Sequence, residues 1–258
     1  THAIQQGAFR RGANMMMMSV THPDIIKFLF AKQNLTQFEN YNISVKLTDA
    51  FMFMLGENAP AIFTNPQTGK KYCMPASIVD KVKQAVEAGK QNQKYIRKID
   101  NCYSLADLID FPVADEKILP TLLTNEQIFD IIAKNAWQTG EPGVVFIDRI
   151  RETEPTPHIG LIGASNPCGE QFLLPHEACN LGSINVSHDR FIKVPEDKLF
   201  ASKNSFNWLA LRQAIYNSIR FLDNVIDVNK YPTEKIHQLC HGNRKIGLGI
   251  MGLADLFY

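Results

Sequence analysis

Hydrophobic residues recur with two different periods along the 258-residue chain, one typical of strands and one typical of helices. Apolar runs at residues 15–18 and 143–148 predict buried strands, and the alternation of residues 42–47 predicts a half-buried strand. A further strand and a final helix are predicted within residues 241–258. The turn-rich residues 57–76 predict a hairpin insertion.

Helical patterns lie between these strands. Pro23 in the first turn supports a helix at residues 21–32. Thr124 and Gln127 have the spacing of a capping box, and the helix that they begin ends at Gly140. The predicted buried side of that helix comprises Ile128, Ile131, Ile132 and Trp137.

Two more helical stretches complete the pattern. Residues 77–100 predict a solvent-exposed helix, and Ser205 begins a long amphipathic helix. Residues 101–120 show no firm pattern. Helices that alternate with short apolar strands predict an α/β architecture.

Composition narrows the classes of function. The formal net charge is +1, so bulk charge gives no indication of a nucleic-acid partner. No apolar run approaches the roughly 20 residues of a membrane helix, and the first residues lack a signal-peptide pattern. We therefore expect neither a membrane nor a nucleic acid as partner, and the odd number of irregularly spaced cysteines predicts reduced thiols in a cytoplasmic protein. Because the chain lacks an initiator Met and stops within a predicted helix, we expect a fragment of a longer protein.

The five cysteines form neither a disulfide framework nor a CxxC zinc motif, so no metal site is expected. Cys73, Cys102 and Cys240 are typical of small buried hydrophobic residues. Cys168 differs, because the string Asn166-Pro-Cys-Gly-Glu170 surrounds it with polar and turn-forming residues.

The residues around Cys168 disfavour a helix, and Pro167 restrains Asn166 to an extended conformation. In an extended segment, Asn166, Cys168 and Glu170 would point to the same side and face one cavity. No histidine lies in this string to generate a thiolate, and the carboxylate of Glu170 disfavours a second negative charge. A neutral thiol beside a carboxylate suits hydrogen-atom chemistry, with the carboxylate as general base.

Two glycine motifs have competing interpretations. The string Gly247-Leu-Gly-Ile-Met-Gly252 matches the dinucleotide-binding pattern GxGxxG, but polar residues precede it. A tightly packed strand is therefore favoured there. The string Gly7-Ala-Phe-Arg-Arg-Gly12 is either an exposed turn or a loop that presents Arg10 and Arg11 to a phosphate or a base.

Five separated motifs resemble the large chains of ribonucleotide reductases. The string Asn166-Pro-Cys-Gly-Glu170 resembles the finger loop, and residues 173–185 resemble the segment with a second redox cysteine, here Cys179. Residues 140–149, 220–227 and 244–255 resemble further segments of the family. The finger-loop string and the short gap between the two cysteines most resemble the adenosylcobalamin-dependent class II enzymes. A class I large chain, which needs a separate radical-generating metal subunit, is the alternative.

The resemblance implies a fold and a set of residue roles. Residues 1–258 would be a fragment of a ten-stranded α/β barrel with a central finger loop. Cys168 would become a thiyl radical that abstracts the 3′ hydrogen of a ribonucleotide, expected to be a diphosphate. Glu170 would take the 3′-hydroxyl proton, and Asn166 would hydrogen-bond the substrate. The 2′-hydroxyl would leave as water while Cys179 and a partner cysteine upstream of Thr1 form a disulfide.

The same resemblance implies cofactors and partners. Adenosylcobalamin would generate the radical, and a thioredoxin-like reductant would restore the thiols. Gly7, Arg10, Arg11, Gly12 and Pro167 are candidate contacts to the substrate or to a dNTP or ATP specificity effector. We expect a homodimer for the full-length protein and no activity for this chain alone. A non-catalytic nucleotide-binding relative is the alternative from another class.

Overall fold

The computed structural model describes residues 12–34, 38–90, 95–193 and 205–258. The chain packs into two compact units, which are described separately. The first comprises Thr1–Pro157 with Ala164–Phe172, and the second comprises His158–Gly163 with Leu173–Tyr258.

The first unit contains strands and helices in alternation. In chain order they are β1 (Asn14–Ser19), α1 (Ile25–Phe30), β2 (Tyr41–Leu47), α2 (Asp49–Phe53), β3 (Phe63–Thr64), β4 (Lys71–Cys73), α3 (Ser77–Lys90), α4 (Tyr95–Asp100), β5 (Ile109–Asp110), α5 (Asn125–Thr139), β6 (Gly143–Phe146), α6 (Ile147–Glu152) and β7 (Ala164–Ser165).

The second unit follows β8 (Phe172–Leu173), the strand that pairs with β7. Its elements are β9 (Asn180–Asn185), β10 (Ile192–Lys193), β11 (Ser205–Phe206), α7 (Trp208–Val228), α8 (Glu234–Asn243), β12 (Ile246–Met251) and α9 (Leu253–Phe257). Short 3₁₀ helices occur at Leu105–Asp107, Glu116–Thr121 and Asp189–Phe191.

A parallel sheet in the order β1-β2-β6 forms the centre of the first unit. One face of the central strand β2 is apolar, and its residues Ile43, Val45 and Leu47 are no more than 2% exposed. Val45 and Leu47 belong to the main core, together with Ile25, Ile26 and Leu29 of α1. The predicted alternation of β2 is therefore confirmed, because its apolar positions are the ones that this core buries.

The two outer strands are more exposed than the sequence predicts. All six residues of β1 are half-buried. In β6 only Val145 is buried, whereas Val144 and Phe146 are 42% and 45% exposed. Among the described residues, each of these strands pairs with β2 alone, and the prediction of two buried strands is wrong. Residue Ile147 already begins α6 and does not continue the strand.

Helix α5 begins with the predicted capping box. Thr124 Oγ1 accepts a hydrogen bond from Gln127 N (3.2 Å), and Gln127 Oε1 accepts one from Thr124 N (3.1 Å). Gly140 ends the helix in the left-handed region with φ of 80°. Trp137 is 84% exposed, so its predicted burial is wrong. It follows the buried Ile128 by nine positions, which places it about 180° around the helix.

Residues 57–76 contain a hairpin. Strands β3 and β4 pair antiparallel, and Asn65 Oδ1 accepts hydrogen bonds from Gln67 N (2.9 Å) and Thr68 N (3.3 Å) in the connecting turn. Helix α3, which follows, buries a stripe against the main core that includes Ile78, Val82 and Val86. The predicted exposed helix is thus amphipathic, with its charged residues in solvent.

The second unit is organised around the parallel pair of β9 and β12, in which Asn180 lies opposite Ile246. Helix α7 packs on this pair through Leu222, which is 6% exposed. The N-cap of α7 is Asn207, whose Oδ1 accepts from Ala210 N (3.2 Å). The expected cap, Ser205, instead belongs to β11, so that expectation is wrong.

The GxGxxG string forms strand β12 and the first residue before α9. Gly247 and Gly249 lie within the strand, as the packed-strand interpretation predicts. Gly252 has a φ of 72°, and a Cβ there would lie 2.2 Å from Asn185 Oδ1. Only glycine fits this position, because both the conformation and the space exclude a side chain. The string is therefore not a phosphate-binding turn.

The alternation of helices with parallel strands confirms the α/β class. Within the described residues, the parallel strands belong to two separate sheets and do not by themselves close a barrel. In the same part of the chain, we find no helix that combines the length and apolarity required to cross a membrane.

The capping box of α5 gives a test of the fold. Thr124→Ala should lower the free energy of unfolding by about 1 kcal/mol, because Gln127 N loses its acceptor. Thr124→Ser retains a hydroxyl acceptor and should cost much less. Urea denaturation of the chain, followed by circular dichroism, measures both variants. Equal losses for the two variants would show that the cap contributes nothing.

Candidate active site

The loop between β7 and β8 is a tight turn. Gly169 N donates to the Asn166 carbonyl (3.0 Å), and Asn166 N donates to the Gln171 carbonyl (3.1 Å). Gly169 adopts a φ of 82°, which lets the chain reverse direction. Pro167 suits the second position of such a turn because its φ is fixed near that of a turn. The prediction that residues 166–170 are extended is therefore wrong.

The side chain of Asn166 holds this turn together. Its Oδ1 accepts a hydrogen bond from Gln171 N at 2.9 Å, in addition to the two backbone hydrogen bonds of the same residue. The structure records no partner for its Nδ2 within the described part of the chain. Asn166 is thus a structural residue of the loop whose amide can still donate to a ligand.

A cavity of about 700 Å³ lies beside the turn. Pro167, Cys168 and Gly169 line it, and the side chain of Cys168 is exposed. Glu170 is also exposed, but neither Glu170 nor Asn166 is among the described residues that line the cavity. The turn therefore places Cys168 at the cavity without the two neighbours that an extended segment would have aligned with it.

One face of the parallel sheet forms the opposite wall. Met15, Met17, Asn42 and Ser44 line the cavity from alternate positions of β1 and β2. Gly143 of β6 lies opposite Ser44, and a Cβ at this glycine would come within 2.9 Å of Ser44 Oγ. Glycine at this position thus leaves room for the Ser44 hydroxyl, which an added Cβ would force to move.

Asn42 connects the sheet to the turn. Its Nδ2 donates to the Pro167 carbonyl at 2.6 Å, and that carbonyl belongs to the peptide group whose nitrogen is that of Cys168. The hydrogen bond fixes the plane of this peptide group, which sets the direction in which the Cys168 side chain leaves the backbone. Neither Asn42 nor Ser44 is singled out by a motif. The available signal is that both polar residues alternate with the buried residues of β2.

The position of Asn42 is in turn fixed by a half-buried ion pair between Lys32 and Glu141. Lys32 Nζ also donates to the Tyr41 carbonyl (2.5 Å), and Glu141 Oε1 accepts from Ile43 N (3.1 Å). The side chains of Lys32 and Glu141 are 12% and 21% exposed. The backbone is therefore held on both sides of Asn42.

The other thiols of the first unit are not placed for chemistry. Cys73 is buried and Cys102 is half-buried, and burial raises the pKa of both thiols. A raised thiol pKa makes the reactive thiolate scarce, in agreement with their prediction as core residues. Cys168 is exposed and lines a cavity, so the first unit presents one thiol that a ligand in this cavity can reach.

Cys179 lies in the second unit, directly before β9, and is half-buried. The residue before it, Ala178, donates its backbone N–H to Cys240 Sγ at 3.3 Å. Cys240 is 2% exposed and fills a core position, as predicted. Cys168 and Cys179 therefore belong to different compact units.

The remaining predicted site residues are Gly7, Arg10, Arg11 and Gly12. Gly12 is half-buried and lies two residues before β1. Gly7, Arg10 and Arg11 lie outside the described residues. Within residues 12–34, 38–90, 95–193 and 205–258, no group of three or more His, Cys, Asp or Glu side chains is arranged to hold a metal ion.

Comparison with known proteins points to one family. A profile described as "Ribonucleotide reductase, barrel domain" matches residues 1–258. A vitamin B12-dependent ribonucleoside-diphosphate reductase from Thermoplasma acidophilum is 34% identical over 99% of this chain and 26% of its own length. The protein of the same name from Mycobacterium tuberculosis is 34% identical over 98% of this chain and 28% of its own.

A third relative carries a different name. The ribonucleoside-diphosphate reductase subunit alpha of Chlamydia pneumoniae is 29% identical over 99% of this chain and 22% of its own length. The chain thus spans about a quarter of the length of these curated relatives.

The role of Asn166 in the turn gives a prediction. Asn166→Ala should accelerate hydrogen exchange of the Gln171 amide by about threefold to tenfold, because one hydrogen bond of ordinary strength is lost. Asn166→Asp keeps the acceptor and should leave the exchange rate close to that of the wild type. NMR-detected hydrogen exchange measures both variants. If Asn166→Ala leaves this amide as protected as before, the side chain does not hold the turn.

Proposed function

The chain belongs to the ribonucleotide reductase barrel-domain family, and from this premise we propose that the complete protein reduces ribonucleotides to 2′-deoxyribonucleotides for DNA synthesis. The diphosphate is the proposed substrate form, because the relatives at 34% identity are named ribonucleoside-diphosphate reductases. The observation that carries the proposal is the exposed Cys168 at a rigid turn beside a cavity of about 700 Å³.

Cys168 is the proposed radical-bearing residue. As a thiyl radical, its sulfur takes the 3′ hydrogen of a ribonucleotide bound in the cavity and returns a hydrogen atom at the end of the reaction. Hydrogen-atom transfer requires the two atoms to be held close in a defined orientation. The hydrogen bond from Asn42 to the Pro167 carbonyl and the bonds of Asn166 to Gln171 support this role, since they fix the backbone around the sulfur.

Glu170 and Asn166 are the proposed polar partners of the substrate. The Glu170 carboxylate takes the proton of the 3′-hydroxyl as general base. Asn166 donates a hydrogen bond to the substrate through Nδ2, since its Oδ1 is already used within the turn. This assignment requires both side chains to turn toward a substrate that contacts Cys168.

The reduction itself requires two further thiols. We assign one of them to Cys179 and the other to a cysteine of the complete protein outside this chain. The two thiols together give up two hydrogen atoms, that is two electrons and two protons, and form a disulfide. The ribose loses its 2′-hydroxyl as water and gains hydrogen at the same carbon, so the reaction balances. A thioredoxin-like dithiol then reduces the disulfide.

Adenosylcobalamin is the proposed cofactor, because the relatives at 34% identity are named as vitamin B12-dependent, whereas the relative named as a subunit alpha is 29% identical. The donor set fits this group: the Cys168 thiol is exposed, and a cobalt carried in its own ring requires no protein metal cluster. The chemistry that the cofactor supplies when bound is homolytic cleavage of its cobalt–carbon bond. Cys168 would be the residue whose thiol hydrogen this chemistry removes.

A second candidate is the large chain of a class I reductase, and the name subunit alpha of the Chlamydia relative supports it, since such a name indicates a separate partner subunit. In that case a separate metal-containing subunit would supply the radical to Cys168. The remaining proposals are common to both candidates: cytoplasmic location, a homodimer, and a dNTP or ATP specificity effector bound near Arg10 and Arg11. Addition of adenosylcobalamin to the purified complete protein, without a second subunit, distinguishes the two candidates.

The role of Cys168 is testable in the complete protein. Cys168→Ser should lower deoxyribonucleotide formation by more than about 1,000-fold, because an alcohol cannot replace the thiol as a hydrogen-atom carrier. Product is measured by chromatography in the presence of adenosylcobalamin and a dithiol. Cys102→Ser is the matched control and should stay close to the wild type. If Cys168→Ser retains activity, Cys168 does not carry the radical.

A further inference from the structure

A buried ion pair lies two residues from Cys179. Lys245 Nζ is 2.9 Å from Glu177 Oε2, and the exposed fractions of the two side chains are 11% and 0%. Glu177 Oε2 also accepts from Leu174 N (2.8 Å), and Oε1 accepts from Asn243 Nδ2. The carboxylate thus receives hydrogen bonds from three groups, which is what a charge needs when it is fully removed from water.

This carboxylate closes an unusual turn. Glu177 N donates to the Leu174 carbonyl (3.1 Å), while the Glu177 side chain accepts from Leu174 N. Within the turn, His176 has a φ of 67°, in the left-handed region that residues other than glycine seldom adopt. The contacts of Glu177 with Asn243 and Lys245 therefore hold a strained backbone from outside the turn.

The chain is fixed on both sides of Cys179. Ala178 N donates to Cys240 Sγ, and Asn180 pairs with Ile246, the residue directly after Lys245. Asn180 Nδ2 also donates to the Leu222 carbonyl at 3.2 Å. The backbone on either side of this thiol thus contacts α8 and β12, the two elements between which Lys245 lies.

The anchor of Lys245 is itself well defined. The preceding residue, Arg244, ends α8 in the left-handed conformation, and its guanidinium contacts Asp223 Oδ1 at 2.7 Å and Asp227 Oδ1 at 2.9 Å. Lys245 is therefore joined to a residue that is tied to α7. The backbone that carries Lys245 is therefore held in place by α7, within the second unit.

Stability alone does not explain a buried ion pair. Removing two charges from water costs about as much as their attraction returns, and an apolar pair of similar volume is often equally stable. What an ion pair adds is a single defined geometry, since each hydrogen bond has a required direction. We propose that Glu177 and Lys245 are positioning residues that hold Cys179 in the orientation required for disulfide formation.

This proposal rests on the proposed function of Cys179. Disulfide formation joins its sulfur to a second cysteine sulfur of the complete protein, and the two electrons reduce the ribose carbon that loses water. An external dithiol later attacks along the sulfur–sulfur axis and restores both thiols. Both steps depend on the direction of the Cys179 side chain, and the contacts of Glu177 hold the backbone that leads to this residue.

The test compares three forms of the complete reductase. The double variant Glu177→Gln/Lys245→Met removes both charges, so it leaves no unpaired buried ion that would unfold the protein. The control Lys70→Met/Asp110→Asn removes an exposed ion pair of 2.8 Å in the first unit. Thermal unfolding confirms that all three forms are folded at the assay temperature.

Disulfide formation at Cys179 in a single turnover without reductant is then measured by mass spectrometry, alongside kcat and KM for the ribonucleotide. The double variant should form the disulfide about 100-fold more slowly than the wild type and lower kcat in parallel, with KM unchanged. The control should match the wild type. A wild-type protein that reduces no ribonucleotide would refute the proposed function itself.

Two outcomes with an active wild type would overturn the positioning role. One is a folded double variant whose disulfide forms within about twofold of the wild-type rate. The other is a loss of activity that the unfolded fraction accounts for completely, which would reduce the ion pair to a structural element.

Discussion

The hydrogen bond from Asn42 to the Pro167 carbonyl connects the parallel sheet to the loop that carries Cys168. This contact extends the rigidity of the sheet to the loop, whose tip at Cys168 is exposed. The ion pair of Lys32 and Glu141 fixes the strand at the position of Asn42. A chain of directional contacts thus runs from a half-buried ion pair to the sulfur.

The second unit uses the same principle at Cys179. There the buried Glu177 carboxylate and Lys245 hold the turn at residues 174–177, which contains the left-handed His176 and ends two residues before the thiol. In both places, the cysteine is exposed or half-buried, while the backbone near it is held by ion-paired side chains that are largely buried. Such an arrangement suits chemistry in which a sulfur must react with one chosen atom and with no other.

Local signals account for what the sequence predicts correctly. The capping box at Thr124, the glycine at position 140 and the strand in the GxGxxG string depend on residues within a few positions of each other. Trp137 shows where local signals fail, because an apolar residue in a helical pattern can still lie on the solvent side of the helix. Asn42 could not be predicted at all, because its partner lies 125 positions away.

The family resemblance indicates which residues surround Cys168, but the conformation of these residues depends on Gly169. The positive φ of this glycine converts an expected extended segment into a turn, and that turn separates Cys168 from Glu170 at the cavity.

The most direct test of the place of Cys168 at the substrate site is alkylation of the complete protein, followed by mass spectrometry of each cysteine. Cys168 should react faster than Cys73 and Cys102, and a ribonucleoside diphosphate should protect it selectively. If the nucleotide leaves the alkylation rate of Cys168 unchanged, or slows the alkylation of all thiols equally, Cys168 does not lie at the substrate site.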